Sequence, residues 1–327
     1  MSTAKSPRDG QDGSSAKPPL ALIAGPTASG KSALAVALAQ AIETRGRRAL
    51  VINADSAQVY RDLGILSARP SEAEMDGIEH RLFGTWDGGQ ACSAADWAAA
   101  AREEVRALHD DDAVPILCGG TGLYLRTLLD GIAPVPPIPE DVRREVRALA
   151  QPRARAALEI EDPSAASRLA PADTARTLRA LEVVRATGKP LQWWQARKSG
   201  GIADQIDLAA AILLPDRDDL YRRCEERFAW MLENGAIEEV QALLERNLDP
   251  DLPVMRAIGV PEIAALLRGE LTTNEAVGKG AMATRRYAKR QYTWFRRQPP
   301  ADWTRHEYDS SIIGNVVDTM LHKLGLT

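Results

Sequence analysis

The chain has 327 residues, 45% hydrophobic and 26% charged, which is enough apolar material for a sizeable core and excludes a mainly disordered protein. At roughly 150 residues per domain the length allows two domains, or one large domain carrying an insertion. With 41 basic against 45 acidic side chains the formal charge is -4, so any affinity for a polyanion must come from local clusters.

Residues 1–18 mix Ser, Lys, Asp, Gly and Pro and read as a disordered tail. Leu20–Ala24 reads as a buried strand, Gly25–Gly30 as a loop and Lys31–Arg45 as an Ala/Leu helix. A second apolar run, Ala49–Asn53, leads into Ala54-Asp55-Ser56; a helical stretch from Ser93 to His109 precedes a third, Val114–Cys118, closed by Gly119-Gly120. Strands alternating with helices imply βαβ units, hence an α/β fold with a parallel sheet covered on both faces. Such sheets bind ligands beyond the carboxyl ends of their strands, here Gly25–Gly30, Asp55–Gln58 and Gly119–Thr121. Pro134, Pro136, Pro137 and Pro139 mark a boundary, after which Glu140–Ser199 is rich in Arg, Ala and Glu without a convincing strand. Strand texture resumes at Leu208–Leu214, and 216–297 is again helical. The expected organisation is therefore an α/β core over 19–136 and 206–327 with a helical C-terminal part, interrupted by a small all-helical domain at 137–205. No apolar run approaches the ~20 residues of a membrane span. Cys92, Cys118 and Cys224 are far apart and in no metal-ligand spacing, which suits a reduced cytoplasmic interior.

Gly25-Pro26-Thr27-Ala28-Ser29-Gly30-Lys31-Ser32 fits G-x-x-x-x-G-K-[ST] between a strand and a helix. Its backbone N–H groups and the helix N-terminus favour phosphate, Lys31 adds a point charge, and Ser32 offers a hydroxyl to Mg²⁺. The loop alone admits ATP, GTP or a pyrophosphate ester. Asp55, ending the second strand, faces the same crevice and is placed to act as a general base; its alternative role is to cap a turn. Thr121, after the third strand, would bring a hydroxyl to the same place. That strand ends Leu117-Cys118-Gly119 with no Walker-B carboxylate, which argues against a hydrolysing motor or GTPase switch.

Taken with Asp55-Ser-Ala-Gln-Val-Tyr60 and Gly119-Gly-Thr-Gly-Leu-Tyr124, the phosphate loop closely resembles that of the bacterial tRNA dimethylallyltransferases (tRNA isopentenyltransferases). The resemblance continues through His80-Arg81-Leu82, Ser93–Trp97, Arg176–Glu182, Thr187–Pro190, Ala257-Ile-Gly259 and Ala283–Trp294, and so covers nearly everything after the tail. It implies a P-loop NTPase-like core. It also implies transfer of a dimethylallyl group from dimethylallyl pyrophosphate to N6 of the adenine just 3′ of the anticodon (A37), in tRNAs reading codons that start with U. On that reading the loop holds the pyrophosphate leaving group instead of a nucleoside triphosphate, with Mg²⁺ as cofactor. Asp55 accepts the N6 proton, Asp55, Ser56, Ala57 and Gln58 lie against the adenine, and Thr121 and Arg143 contact substrate. Ala175, Arg176, Thr177, Leu178, Arg179 and Arg256 are further expected to meet the tRNA anticodon stem-loop, and the enzyme is expected to be a monomer. Ser32 stands where many relatives have Thr and keeps the hydroxyl; Val260-Pro261 replaces the usual Tyr and a polar or basic residue. The competing readings are a P-loop small-molecule kinase, an adenylate isopentenyltransferase acting on a free nucleotide, and a tRNA-binding module with a vestigial loop. The joint presence of Lys31, Ser32 and Asp55 opposes the last.

At 100° per residue, Arg285, Lys289 and Arg296 fall at about 0°, 40° and 20°, and Arg286, Arg290 and Arg297 at about 100°, 140° and 120°. Tyr287, Ala288, Tyr292, Trp294 and Phe295 occupy the remaining arc, so one helix face is basic and the other apolar. This stripe is expected to meet tRNA phosphates. Arg223 and Arg227 flank a helical stripe of Leu220, Cys224, Phe228 and Met231 and are candidates for the pyrophosphate. Trp193-Trp194 reads as packing.

Overall fold

Six strands, β1 (Pro19–Ala24), β2 (Ala49–Asn53), β3 (His80–Arg81), β4 (Val114–Gly119), β5 (Asp207–Leu213) and β6 (Thr304–His306), form one all-parallel sheet in the order β3-β2-β4-β1-β5-β6. In the computed structural model, which describes residues 17–307 and 310–326, most of the expected tail lies outside the described residues. The uninterrupted apolar runs of β2 and β4 are buried at every residue, as central strands covered on both faces must be. Pairing aligns Ala24 with Gly119 and with Ile212, and Asn53 with Cys118, so the carboxyl ends of β1, β2 and β4 finish side by side.

The helices are α1 (Lys31–Glu43), α2 (Glu72–Met75), α3 (Ala94–Asp110), α4 (Gly122–Asp130), α5 (Glu140–Arg147), α6 (Gln151–Glu161), α7 (Pro163–Arg168), α8 (Thr174–Thr187), α9 (Leu191–Gln195), α10 (Arg217–Glu233), α11 (Ala236–Glu245), α12 (Val260–Leu267), α13 (Thr273–Arg297) and α14 (Ile313–Lys323). The chain divides into two units. The larger comprises the described residues within 17–91, 104–120 and 205–326 and contains the sheet. One of its cores joins Ile23, Val51 and Ile116 of the sheet to Leu34 and Leu38 of α1 and Met320 of α14. The long helix α13 starts at a capping box, in which the Thr272 hydroxyl accepts the Glu275 N–H and the Glu275 carboxylate accepts the Thr272 N–H. It packs Ala276, Ala288 and Phe295 inward.

The second unit comprises residues 92–103 and 121–204. Its helices α5 to α8 bury Val146, Leu158, Ala166 and Leu181 together. Charge is buried there too: Glu182, 3% exposed, accepts from Arg147 and Arg179. The unit starts upstream of the proline run that marked residue 137 in the sequence. The physical reason is local: the Ile202 N–H donates to the Leu128 carbonyl, the Ile132 N–H to the Ser199 carbonyl, and Trp97 stacks on Tyr124 at 4.6 Å. These contacts bind α4 and the proline run into the same unit as the helices that follow.

Candidate active site

The phosphate loop leaves β1 through a backbone that leucine or valine could not follow. A Cβ on Gly25 would come within 2.5 Å of the Leu213 carbonyl oxygen and 3.0 Å of Ser29 Oγ. Ala28 at φ 62 and Gly30 at φ 88 turn the chain left-handed just before α1 begins at Lys31. Within the loop the Ser29 hydroxyl is buried and has no hydrogen-bond partner among the described residues, a donor placed for an oxygen-rich ligand. Lys31 Nζ donates to the Pro26 carbonyl at 2.7 Å. Burial pushes the Lys31 ammonium below the ordinary lysine value; nearby Cys118 and Asp55 oppose this and the Arg227 guanidinium adds to it. Arg227, half-buried on α10, is itself pushed down by burial, with Arg223 adding to the effect, and makes no ion pair among the described residues. Cys224 and Glu74 oppose the shift of Arg227, while Arg227 itself disfavours the Lys31 charge, so positive charge is concentrated beside the loop. Burial holds the Cys118 and Cys224 thiols up at about 11, so neither supplies a thiolate here.

Asp55 caps a turn, one of the two roles its position allowed. Its Oδ1 accepts the Ala57 N–H at 3.0 Å, a turn-capping bond, and its own N–H donates to Asn53 Oδ1 at 2.8 Å. The residue as a whole is only 8% exposed. Its other oxygen points at the Gly120 backbone, where a Cβ would stand 3.3 Å from Oδ2 and 3.0 Å from the Gly25 carbonyl oxygen. The ends of three strands thus meet at Gly120, where any side chain would crowd them. At Gly119 a Cβ would drive into the Ala54 backbone. Because backbone cannot step aside as a side chain can, Gly119→Ala should cost of order 3 kcal/mol, the upper range for overpacking. Chemical denaturation measures this, and unchanged stability would mean that β4 can shift away from Ala54.

The family model described as IPP transferase matches residues 58–298. The chain belongs to that family. It is 65% identical over 291 residues, 89% of its length and 92% of the relative's, to a protein of Erythrobacter litoralis named tRNA dimethylallyltransferase. A Novosphingobium aromaticivorans protein of the same name is 61% identical, over 85% of this chain and 99% of the relative. Among solved structures, a Bacillus halodurans tRNA isopentenylpyrophosphate transferase superposes with a TM-score of 0.68 at 33% identity, covering 94% of this chain and 97% of its own. A eukaryotic dimethylallyltransferase acting on tRNA superposes with a TM-score of 0.72 at 27% identity, over 85% of this chain and 69% of its own.

Other expected site residues lie as follows. Ser32 is exposed at the first turn of α1. Gln58 turns its amide inward, donating to the Ser67 and Ala68 carbonyls, and so holds a turn. That turn is fixed from below by Glu239, whose carboxylate accepts the N–H groups of Gly64, Ile65 and Leu66. Arg223 is half-buried beside Arg227, and Arg256 lies 3.7 Å from Asp251. Val260 is buried at the start of α12. In the second unit, Thr121 precedes α4 and Arg143 lies on α5, 3.7 Å from Glu140, with a buried Nε that has no partner among the described residues. Arg176 and Ala175 are exposed on the first turn of α8, with Arg176 paired to Asp173. Thr177 departs from the expected RNA contact: it is fully buried and its hydroxyl donates to the Asp173 carbonyl. Leu178 packs on the helical core. Trp193 and Trp194 meet edge to face at 4.8 Å, and Arg197 covers the Trp193 ring at 3.7 Å.

On α13 the six basic side chains of the expected stripe are exposed: Arg285, Arg286, Lys289, Arg290, Arg296 and Arg297. Arg285 pairs with Glu225 at 2.7 Å and stacks on Tyr221. Among the described residues the other five make no ion pair, although acidic side chains outnumber basic ones in this chain. Sequence reading missed Gln291, which is 6% exposed on the inner face of the same helix and bonds to the phosphate loop.

Proposed function

We propose that the protein transfers a dimethylallyl group from dimethylallyl pyrophosphate to N6 of the adenine 3′ to the anticodon of tRNA. The observation that carries this reading is the meeting of an anion cradle (Ser29, Lys31, Arg227) with a buried carboxylate, Asp55, across a glycine that leaves the gap open. The adenine N6 attacks the allylic carbon as its bond to the pyrophosphate oxygen breaks. The N6 proton passes to Asp55 Oδ2, and the departing charge is taken up by Lys31, Arg227 and the loop N–H groups. The same reading takes the acceptor tRNA through the exposed face of α13, together with Arg143, Arg176, Arg179 and Arg256.

Mg²⁺ fits the one donor the chain offers it, the Ser32 hydroxyl at the first turn of α1 beside the cradle. A hard cation held by one hydroxyl would be carried largely on phosphate oxygens and water. When bound it would share the negative charge of the leaving group. The three cysteines are free thiols, which accords with a reducing, cytoplasmic setting, and no helix among the described residues is long and apolar enough to cross a membrane.

The deciding experiment is mass spectrometry of nucleosides from tRNA incubated with the protein and dimethylallyl pyrophosphate. N6-dimethylallyladenosine at the adenine after the anticodon is the expected product. Prenylation of free AMP with none of tRNA would favour the free-nucleotide enzyme, and phosphoryl transfer from ATP would favour a kinase.

The basic face has its own test. Changing Arg286, Lys289 and Arg290 to Gln spares the Arg285–Glu225 pair and the inner packing, so stability should move by only about a few tenths of a kcal/mol per site. Affinity for tRNA should fall broadly, and each lost phosphate contact should flatten the salt dependence of log K by up to about 0.9. Coincident salt slopes for parent and variant would leave the stripe a solvated helix face.

A further inference from the structure

The hydrogen bonds of Gln291 run to two segments far away in sequence. Its Oε1 accepts the Thr27 N–H at 2.8 Å, and its Nε2 donates to the Gly120 carbonyl at 2.8 Å. The first of these matters most, because the Thr27 N–H and the Pro26 carbonyl belong to one planar peptide. That carbonyl accepts Lys31 Nζ at 2.7 Å, so Gln291 and Lys31 grip the same peptide plane from opposite ends. Its second bond holds the Gly120 peptide, where Asp55 Oδ2 and the Gly25 carbonyl converge. We propose that Gln291 is a positioning residue for the transfer reaction: its carboxamide sets the Pro26–Thr27 peptide that anchors Lys31 and the spacing between the phosphate loop and the Asp55 edge.

The side chain is too buried to meet a macromolecule, and both halves of its amide are engaged, so its contribution is geometric. A methionine of similar length would leave both peptides without their partner and let the loop peptide rotate. The proposal rests on the transfer reading above, and its test keeps the two apart. Parent and Gln291→Met are compared for binding of inorganic pyrophosphate with Mg²⁺ by calorimetry, for kcat and KM, for tRNA affinity and for melting temperature. Loss of a hydrogen bond beside a charged group predicts pyrophosphate affinity and kcat each lower by roughly ten- to a hundredfold, with tRNA affinity within about twofold.

Gln291→Glu supplies a second measurement should the methionine variant not fold. Its carboxylate still accepts the Thr27 N–H but repels the Gly120 carbonyl, and protonation restores the donor. The activity of Gln291→Glu relative to the parent should therefore rise as pH falls. Parental pyrophosphate affinity and kcat in Gln291→Met, with or without a lower melting temperature, would overturn the proposal, as would a pH-independent ratio for Gln291→Glu. A parent protein that neither binds pyrophosphate nor modifies tRNA would instead overturn the transfer reading itself.

Discussion

Replacing Asp55 by Asn is expected to lower the single-turnover rate of transfer by on the order of 10²–10⁴, the range that a general base supplies. Asn is the sharper substitution because of how Asp55 is held. Its Oδ1 accepts the Ala57 N–H, and an Asn carbonyl oxygen can keep that bond and the turn with it. What disappears is the basic Oδ2 facing Gly120. Asp55→Ala removes both, freeing the Ala57 N–H, and should lose stability as well as rate. Comparing the two separates a chemical role from a structural one. With Asn, tRNA and pyrophosphate affinities should stay near those of the parent, because a base acts in the transition state and contributes little to ground-state binding. If Asp55→Asn turned over at the parental rate while Asp55→Ala was merely less stable, Asp55 would be a turn cap and the N6 proton would leave by another route.

The parts of the site that were legible in the sequence are those whose chemistry fits a short spacing. The phosphate loop carries its glycines, lysine and serine within eight residues, and Asp55 follows directly on an apolar strand. Long buried strands such as β1 and β4 were equally legible. By contrast β3 and β6 have two and three residues, too few for any period to register, and exist because a neighbouring strand has an edge to pair. The start of the second unit was hidden for a related reason: the Trp97–Tyr124 stack and the Leu128–Ile202 bond are contacts at a distance, whereas the proline run offered a stronger but purely local signal. Gln291 did leave a trace. At 100° per residue from Arg285 it falls at about 240°, in the middle of the arc of Tyr287, Ala288, Tyr292, Trp294 and Phe295. A polar residue in an apolar stripe needs a buried partner, and the periodicity that exposed the stripe could have flagged the exception. Sequence spacing also grouped Arg285 with Lys289 and Arg296, whereas Glu225, on another helix, sets Arg285 apart.

Lys31→Ala tests the other half of the site, the departure of pyrophosphate. The ammonium is anchored on the Pro26 carbonyl, and burial with the nearby Arg227 disfavours its charge in the absence of an anion. On the proposed reading that unfavourable arrangement is relieved when a pyrophosphate enters, and further relieved as the allylic C–O bond breaks and negative charge grows on the leaving oxygen. Removal of one such group typically lowers rates by on the order of 10²–10³. For Lys31→Ala the loss should appear in kcat as well as in KM for dimethylallyl pyrophosphate, because the interaction strengthens toward the transition state. On the proposed reading the loop addresses the leaving group and the exposed face of α13 the acceptor, so affinity for tRNA should be almost unaltered. Lys31→Arg is not a conservative control: a planar guanidinium cannot reproduce one compact charge directed at the Pro26 carbonyl, and a partial defect is expected. Separate titration of the two substrates against Lys31→Ala reads these terms independently. Loss of tRNA affinity equal to the loss of pyrophosphate use would show that the loop organises the acceptor side too. Unaltered use of dimethylallyl pyrophosphate would take the leaving group out of the loop and return the loop to a nucleoside triphosphate.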